Sequence, residues 1–252
     1  MPATQHAANP GLRLDLNRLP VLDRLIDSFV KRRHKQFYIV RAHRFGVPFY
    51  TYEAGVNTKP YGLRQDCIAC VSSITKGVTA VLIMKLVEDG LLDTYDPVIN
   101  YLPWLGEDKK DIRVWHLLTH TCGIVDSEFR AFKYDFAERV FGLKKPSDDA
   151  DEKEWGGYES ALRQKTGCEG NLTHWFLRRY PLPRAPRAVM SYSSVSSNML
   201  GDIIEAVTGK SIDEFSRQAL FLPLGMEDSH FILPEDKYHR VVGRNDDCVG
   251  VP

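Results

Sequence analysis

Residues 71–90 read VSSITKGVTAVLIMKLVEDG, and this stretch decides how the rest of the chain is interpreted. It contains a Ser-x-x-Lys tetrad, Ser73 to Lys76, followed at once by an apolar run with helical spacing that should end at Asp89-Gly90. Side chains three positions apart share a helix face, so the Ser73 hydroxyl and the Lys76 amine can share a site. Free N–H groups in the first helical turn would favour negative charge on Ser73. A helix start with a solvated lysine is the alternative interpretation, because so short a pattern recurs by chance.

The composition indicates a folded chain and leaves a small neutral substrate open. The 252 residues are 43% hydrophobic, and 33 basic residues balance 33 acidic ones. This balance gives no electrostatic reason to expect nucleic acid or an anionic membrane as partner. The first twenty residues lack an apolar signal segment and no run is long enough to span a bilayer, so we expect a cytoplasmic location. The five cysteines lack the paired spacing of a zinc site, and no metal site is predicted.

Periodicity and turn signals divide the chain into an amphipathic helix, a β-hairpin and a series of further helices. The helices are predicted over 20–33, 112–123, 174–179, 190–209 and 211–219, and the hairpin strands over 36–43 and 47–52. We expect residues 1–19 to be poorly ordered. The strongly polar stretch 144–171 is interpreted as a loop, a mobile insertion or a lid within a single domain of residues 1–252.

Five segments together resemble one protein family, and they occur in the family's order with compatible spacing. They are ACVSSITKG (69–77), EDGLLDTYDPVINYLP (88–103), VWHLLTHTCGI (114–124), MSYSS to VTG (190–209) and LPLGMEDSHF (222–231). The chain resembles the serine β-lactamase and penicillin-binding-protein-like superfamily, closest to its class C β-lactamase and esterase branch. The resemblance implies an α+β fold in which a helical lobe packs on an antiparallel sheet with flanking helices. The nucleophile is then expected at the seam between the lobes.

The resemblance also assigns roles to three residues. Ser73 matches the nucleophile, Lys76 its activating neighbour, and Tyr192 the tyrosine of the family's Tyr-x-Asn motif. A serine hydroxyl needs a base, and the charge of Lys76 would favour an ionised Tyr192. We therefore interpret Tyr192 as the general base and Lys76 as its electrostatic partner and proton relay. The two titrate as a pair, so the sequence leaves open which one carries the proton, and no cofactor is required.

The sequence departs from the family pattern at two places. Tyr-x-Asn reads Tyr192-Ser193-Ser194, so we expect Ser194 to bind substrate, with Asn198 one helical turn further on as partial compensation. The family's Lys/His-x-Gly strand is not reached before Pro252, and the sheet is expected to be incomplete. The chain would then be a C-terminally truncated fragment, a product that a partner chain completes as an oligomer, or a degenerate relative. Lys165-Thr166-Gly167 spells the triad but precedes Tyr192, and we interpret it as coincidence.

Two hypotheses on function follow. The first is a serine hydrolase or acyltransferase that forms an acyl-enzyme on Ser73 and acts on a small ester or amide, as an esterase or transesterase rather than a β-lactamase. The second is a catalytically impaired domain of the same fold that serves binding or assembly. Ser194 and the missing strand motivate the second hypothesis.

Overall fold

A computed structural model describes residues 3–6, 14–32, 37–55 and 66–241. The chain divides into two compact units, one of residues 1–71 with 232–252 and the other of residues 72–231. In the first unit the structure has helix α1 (Leu19–Lys31) and strands β1 (Ala3–His6), β2 (Phe37–Arg44) and β3 (Val47–Gly55). An isolated parallel bridge joins Ile68 to Val241 in the same unit.

The three strands form one antiparallel sheet in the order β1-β3-β2. Phe45 and Gly46 connect β2 to β3 with φ values of 51° and 77°, the positive pair that a tight hairpin turn requires. The predicted hairpin is confirmed. Strand β1 pairs with the outer edge of β3, which offers free N–H and C=O groups, and the expectation of poor order over 1–19 stays a prediction. Residues 7–13 lie outside the described ranges.

A small core holds the first unit together. Ile26 of α1 is buried against Tyr50 and Tyr52 of β3, both 1% exposed. Their hydroxyls donate hydrogen bonds to Asp23 and Asp27. Burial and the adjacent carboxylates raise the pKa of both phenols, so the polar ends of the two tyrosines are satisfied while their rings pack against α1.

The second unit is helical in its described part. Its α-helices are α2 (Thr75–Glu88), α3 (Val114–Leu118), α4 (Asp126–Phe141), α5 (Glu152–Thr166), α6 (Leu172–Arg179), α7 (Ser194–Thr208) and α8 (Ile212–Ser216). Single 3₁₀ turns connect α2 to α3 over residues 98–109. An antiparallel sheet in one unit and packed helices in the other confirm the predicted α+β class.

The polar stretch 144–171 is not the continuous loop predicted from its composition, because α5 occupies its middle. Asp151 caps this helix by accepting a hydrogen bond from Glu154 N at 2.8 Å, and Leu162 is buried. The charged residues form the solvent side of an amphipathic helix, a pattern that composition alone does not separate from a loop. Thr166 is the last residue of α5 and Gly167 caps it at φ 63°, so the Lys-Thr-Gly triad ends a helix and lies on no strand.

The main core of the second unit surrounds α7. Met199, Ile203 and Ile204 of α7 are at most 1% exposed, and α7 packs on both α2 and α3. Leu82 and Leu86 of α2 are fully buried in the same core. This packing fixes the starts of α2 and α7, the two places where the predicted reactive side chains lie.

Candidate active site

Ser73 and Lys76 meet at the start of α2. Lys76 Nζ donates a hydrogen bond to Ser73 Oγ at 3.2 Å. Ser73 belongs to the 3₁₀ turn Ser72–Ile74, so it lies just before the first turn of α2 rather than within it as predicted. The tight turn still projects Ser73 toward the side chain three positions ahead, as the tetrad spacing requires.

Tyr192 completes this group from the loop before α7. Lys76 Nζ lies 4.8 Å from the centre of the Tyr192 ring. Hydrogen bonds from the Ser73 hydroxyl and then from the Lys76 ammonium lower the pKa of the Tyr192 phenol, since both donors favour the phenolate. The Tyr192 side chain is 54% exposed and Ser73 is exposed, so a substrate can reach both. The structure therefore brings together the three residues that the sequence singled out.

His120 is a fourth member of the site, and it lies in the VWHLLTHTCGI segment (114–124). Its ring centre lies 4.8 Å from that of Tyr192, and its Nδ1 accepts a hydrogen bond from Ser193 N at 3.3 Å. Burial and then the charge of Lys76 lower the pKa of His120, while Asp126 opposes them. A neutral imidazole keeps Nδ1 available as an acceptor and supports the Tyr192 ring from one side.

Asp126, at the start of α4, was not identified from the sequence. Its Oδ1 accepts from Ser193 Oγ at 2.5 Å and from Val195 N at 3.4 Å, and its Oδ2 accepts from Ser194 N at 2.7 Å. Ser193 Oγ also caps α7 by accepting from Ser196 N at 3.0 Å. One carboxylate thus fixes the first residues of α7, directly after Tyr192.

Ser194 and Asn198, the two predicted substrate-binding residues, are not joined to this group by side-chain hydrogen bonds in the described residues. Both are exposed, and within the described residues neither side chain hydrogen-bonds to Ser73, Lys76 or Tyr192. Ser194 contributes its backbone N–H to Asp126 instead. Their role in substrate binding stays a prediction.

The turn at residues 120–123 holds the loop that carries Tyr192. Arg187 N donates to Thr121 O at 2.7 Å, and Ser191 N donates to His120 O at 2.9 Å. Gly123 has a φ of 89°, and a Cβ there would lie 2.3 Å from the carbonyl oxygen of Arg184. Only glycine allows this close approach.

Two further contacts support the same region. Arg184 makes a bidentate ion pair with Glu128 of α4, with both N···O distances 2.7 Å. The Cys122 Sγ lies 3.3 Å from Ser196 Oγ of α7, and both residues are buried. The buried Cys122 thiol therefore has a hydrogen-bonding partner on α7.

Within the described ranges, no group of three or more His, Cys, Asp or Glu side chains is placed to hold a metal ion. His116 and His120, four apart in sequence, have different surroundings. His116 Nδ1 accepts from Arg113 N at 2.8 Å, which caps the start of α3. None of the helices in these ranges is long and apolar enough to cross a membrane.

Comparison with known proteins places this arrangement in a family. A family model described as Beta-lactamase matches residues 23–248, and the chain belongs to that family. The esterase EstB of Burkholderia gladioli is 26% identical over 221 residues, which cover 85% of this chain and 52% of EstB. The resemblance stated from the sequence is therefore confirmed.

Solved structures show the same fold. A class C β-lactamase mutant matches 95% of this chain and 57% of its own, with a TM-score of 0.67 and 19% identity. EstCE1, a hydrolase with promiscuous acyltransferase activity, matches 89% of this chain and 56% of its own, with a TM-score of 0.63 and 18% identity. The chain spans 31% and 52% of the length of the first two curated relatives that it matches.

Proposed function

We propose that this chain carries the nucleophile of a serine hydrolase or acyltransferase that forms an acyl-enzyme on Ser73 and acts on a small ester or amide. The observation that carries the proposal is the meeting of Ser73, Lys76 and Tyr192 at a solvent-reachable place, with the pKa of the phenol lowered by the other two. A base with a lowered pKa next to a hydroxyl is the arrangement that nucleophilic catalysis needs.

Acylation uses the three side chains as follows. The Tyr192 phenolate takes the proton from Ser73 as Oγ attacks the carbonyl carbon of the substrate, and a tetrahedral intermediate forms. The intermediate collapses when the bond to the leaving alcohol or amine breaks, and the leaving group takes the proton from Tyr192. Lys76 stays close to both oxygens and stabilises the phenolate before attack, because its charge is 4.8 Å from the ring.

Deacylation reverses these roles with a different nucleophile. Water, an alcohol or an amine loses its proton to Tyr192 and attacks the acyl carbon, and Ser73 leaves with that proton. Water gives hydrolysis, and an alcohol or amine gives acyl transfer. The names of EstB and of EstCE1, an esterase and a hydrolase with acyltransferase activity, favour an ester substrate over a β-lactam.

The test is to incubate the chain with p-nitrophenyl acetate, and separately with a penicillin, and to measure intact mass. We expect an acetyl adduct that is absent from Ser73→Ala. Tyr192→Phe keeps the ring beside His120 and removes the phenol oxygen, so acylation should slow by roughly 100- to 10,000-fold. The matched control is Tyr95→Phe, because Tyr95 is a 72% exposed tyrosine that lies on the 93–96 turn.

Two outcomes would contradict the proposal. An adduct that persists in Ser73→Ala would place the nucleophile elsewhere. No adduct from either compound, together with saturable binding that Ser73→Ala leaves unchanged, would favour the impaired binding domain. Ser194 stands where the family has an asparagine, and this substitution motivates the impaired binding domain as the second candidate function.

A further inference from the structure

A second concavity lies in the helical unit, between α4, α5 and α6. Its volume is about 770 Å³, a size typical of small-molecule sites. Its lining includes Lys133 and Tyr134 of α4, Trp155 and Leu162 of α5, and Phe176 of α6. None of the lining residues is Ser73, Lys76, Tyr192, His120 or Asp126, and the acyl chemistry proposed above does not use the pocket.

Lys133 places a positive charge against the aromatic wall of the pocket. Its Nζ lies 5.6 Å from the centre of the Phe176 ring and 5.9 Å from that of Phe129. No carboxylate in the described part of the chain forms an ion pair with it, and desolvation by burial lowers the pKa of Lys133, an effect that Glu159 partly opposes. A desolvated ammonium without an ion-pair partner gains free energy from a bound anion.

Glu159, the acidic residue whose charge acts on Lys133, already has a hydrogen-bonding partner. Glu159 accepts a hydrogen bond from Arg163 at 2.9 Å, and Arg163 also donates to Gly170 O at 2.8 Å. Arg163 is therefore held by protein oxygens, while Lys133 contacts rings. The difference makes Lys133 the cation that a ligand would meet without breaking a protein ion pair.

The remaining lining mixes apolar and polar side chains, and Glu152, Asn171 and Thr173 belong to its polar part. Trp155 and Tyr158 lie edge to face with ring centres 6.1 Å apart, and Leu162 and Phe176 are buried beside them. The Tyr158 hydroxyl is buried and has no hydrogen-bond partner within the described residues. A ligand oxygen that reached this hydroxyl would satisfy it. The surroundings suit a flat or aliphatic body with an acceptor group at one end.

From these contacts we propose that the pocket between α4, α5 and α6 binds a small carboxylate with an aromatic or aliphatic body. The carboxylate contacts Lys133, and the body packs against Trp155, Tyr158 and Phe176. The site is a binding site outside the acyl-transfer group, so its ligand is not required to be the substrate.

Two adjacent glycines of α5 offer a matched test. Gly156 lines the pocket and Gly157 does not, and an added Cβ meets no atom within 4 Å at either position. Gly156→Leu therefore places a side chain at the pocket from a Cβ position with open space around it, and Gly157→Leu makes the same change in helix propensity outside the pocket. Binding of 1-naphthaleneacetate is measured by titration calorimetry in the Ser73→Ala background, which removes the nucleophile.

We expect 1-naphthaleneacetate to bind saturably, and Gly156→Leu to weaken binding at least about tenfold while Gly157→Leu leaves it within about twofold. Lys133→Met keeps the aliphatic stem and removes the charge, and it should weaken binding of the acid about tenfold with little effect on the neutral 1-naphthaleneacetamide. Equal binding in the two leucine variants would overturn the proposal. Equal binding of acid by wild-type and Lys133→Met chains, tighter binding of 1-naphthylmethylamine than of the acid, or no saturable binding would overturn it as well.

Discussion

Tyr192 derives its proposed role from its neighbours rather than from its own chemistry. An isolated phenol is almost fully protonated at neutral pH, and here the Ser73 hydroxyl and the Lys76 ammonium both lower its pKa by hydrogen bonding. His120 packs against the ring and binds the backbone of the following residue. His120 thus holds the phenol ring in place from one side, while Ser73 and Lys76 favour its ionised form from the other.

We predict that His120 makes the fold sensitive to acid. Its folded pKa lies below its ordinary value of 6.5, because burial and Lys76 disfavour the imidazolium. At higher pH both the folded and the unfolded chain hold a neutral His120, so stability does not depend on this proton. As the pH falls through about 6.5 the unfolded chain gains the proton first, and the free energy of unfolding decreases.

The variant His120→Asn should reduce this acid dependence. Asparagine tolerates the φ of 57° at this position, and its side-chain oxygen can accept from Ser193 N. Urea denaturation between about pH 5 and 8 measures the effect, with His43→Asn as the control at an exposed histidine of β2. Parallel pH profiles for the wild type and His120→Asn would contradict the prediction.

At this scale the sequence predicted the three residues that meet at the start of α2 but not the residues that support them. Ser73, Lys76 and Tyr192 belong to short motifs with family-wide spacing, so they can be recognised without coordinates. Asp126 acts on residues 67 to 69 positions further along the chain, and no local pattern reveals so distant a partner. His120 was noticed, but its contact with Tyr192 depends on a turn and a loop meeting in space.

Among the elements, the turn over 120–123 and the loop before α7 act as one support. Their backbone hydrogen bonds run from Arg187 to Thr121 and from Ser191 to His120. Gly123 sets how close the two segments come, since its missing side chain leaves room for Arg184 O. The position of Tyr192 therefore depends on Gly123, which is not one of the three residues proposed to react.

We predict that Gly123→Ala lowers the rate of acylation as well as stability. Its Cβ would lie 2.3 Å from Arg184 O, so the loop must move in addition to the strain at φ 89°. Gly142→Ala is the control, with a similar φ of 68° and open space around its Cβ, and it should cost only about 1–2 kcal/mol of backbone strain. Urea denaturation and the time course of the acetyl adduct measure the two effects. Indistinguishable acylation rates in the two variants would show that the close approach does not position Tyr192.

The elements were predictable where one periodicity dominated. The α1 helix, the β2–β3 hairpin, α6 and α7 follow clear apolar patterns with turn residues at their ends. The α4 helix was not predicted, although Phe129, Phe132 and Phe136 recur at helical spacing. The composition predicts a loop in place of α5, since two glycines and many charges obscure the apolar face of that helix.

For the whole molecule, the two units differ in the size of their cores. In the described residues of the first unit the buried apolar side chains are Ile26, Tyr50 and Tyr52, whereas in the second unit buried apolar side chains occur in every helix from α2 to α7. Hydrophobic stabilisation grows with the apolar area removed from water. Most of the free energy of folding is therefore expected to reside in the second unit.

We predict that amide hydrogens exchange at different rates in the two units. Amides of α2 and α7 should exchange at least about tenfold more slowly than those of β2 and β3. The reason is that local opening costs less free energy where few apolar contacts are lost. Hydrogen-exchange mass spectrometry of the intact chain measures this directly. Equal protection of hairpin peptides and α7 peptides would contradict the expectation.

The family and the fold class could be predicted because five segments agree in order and spacing, which no single motif could have shown. The oligomeric state, the single-domain organisation, the cytoplasmic location and the lid role of 144–171 stay predictions, since they depend on contacts beyond local patterns. The matches cover 31% and 52% of the length of two curated relatives, so the activity of the whole protein stays a proposal.

The adjacent glycines of α5 also bear on how such a protein can diversify. A side chain introduced at Gly156 would change the volume of the pocket, and Ser73 does not line that pocket. Under the two proposals above, mutations at this single position can alter which ligand binds while Ser73, Lys76 and Tyr192 are inherited unchanged. Descendants with new ligand preferences then need not first lose the proposed acyl-transfer reaction.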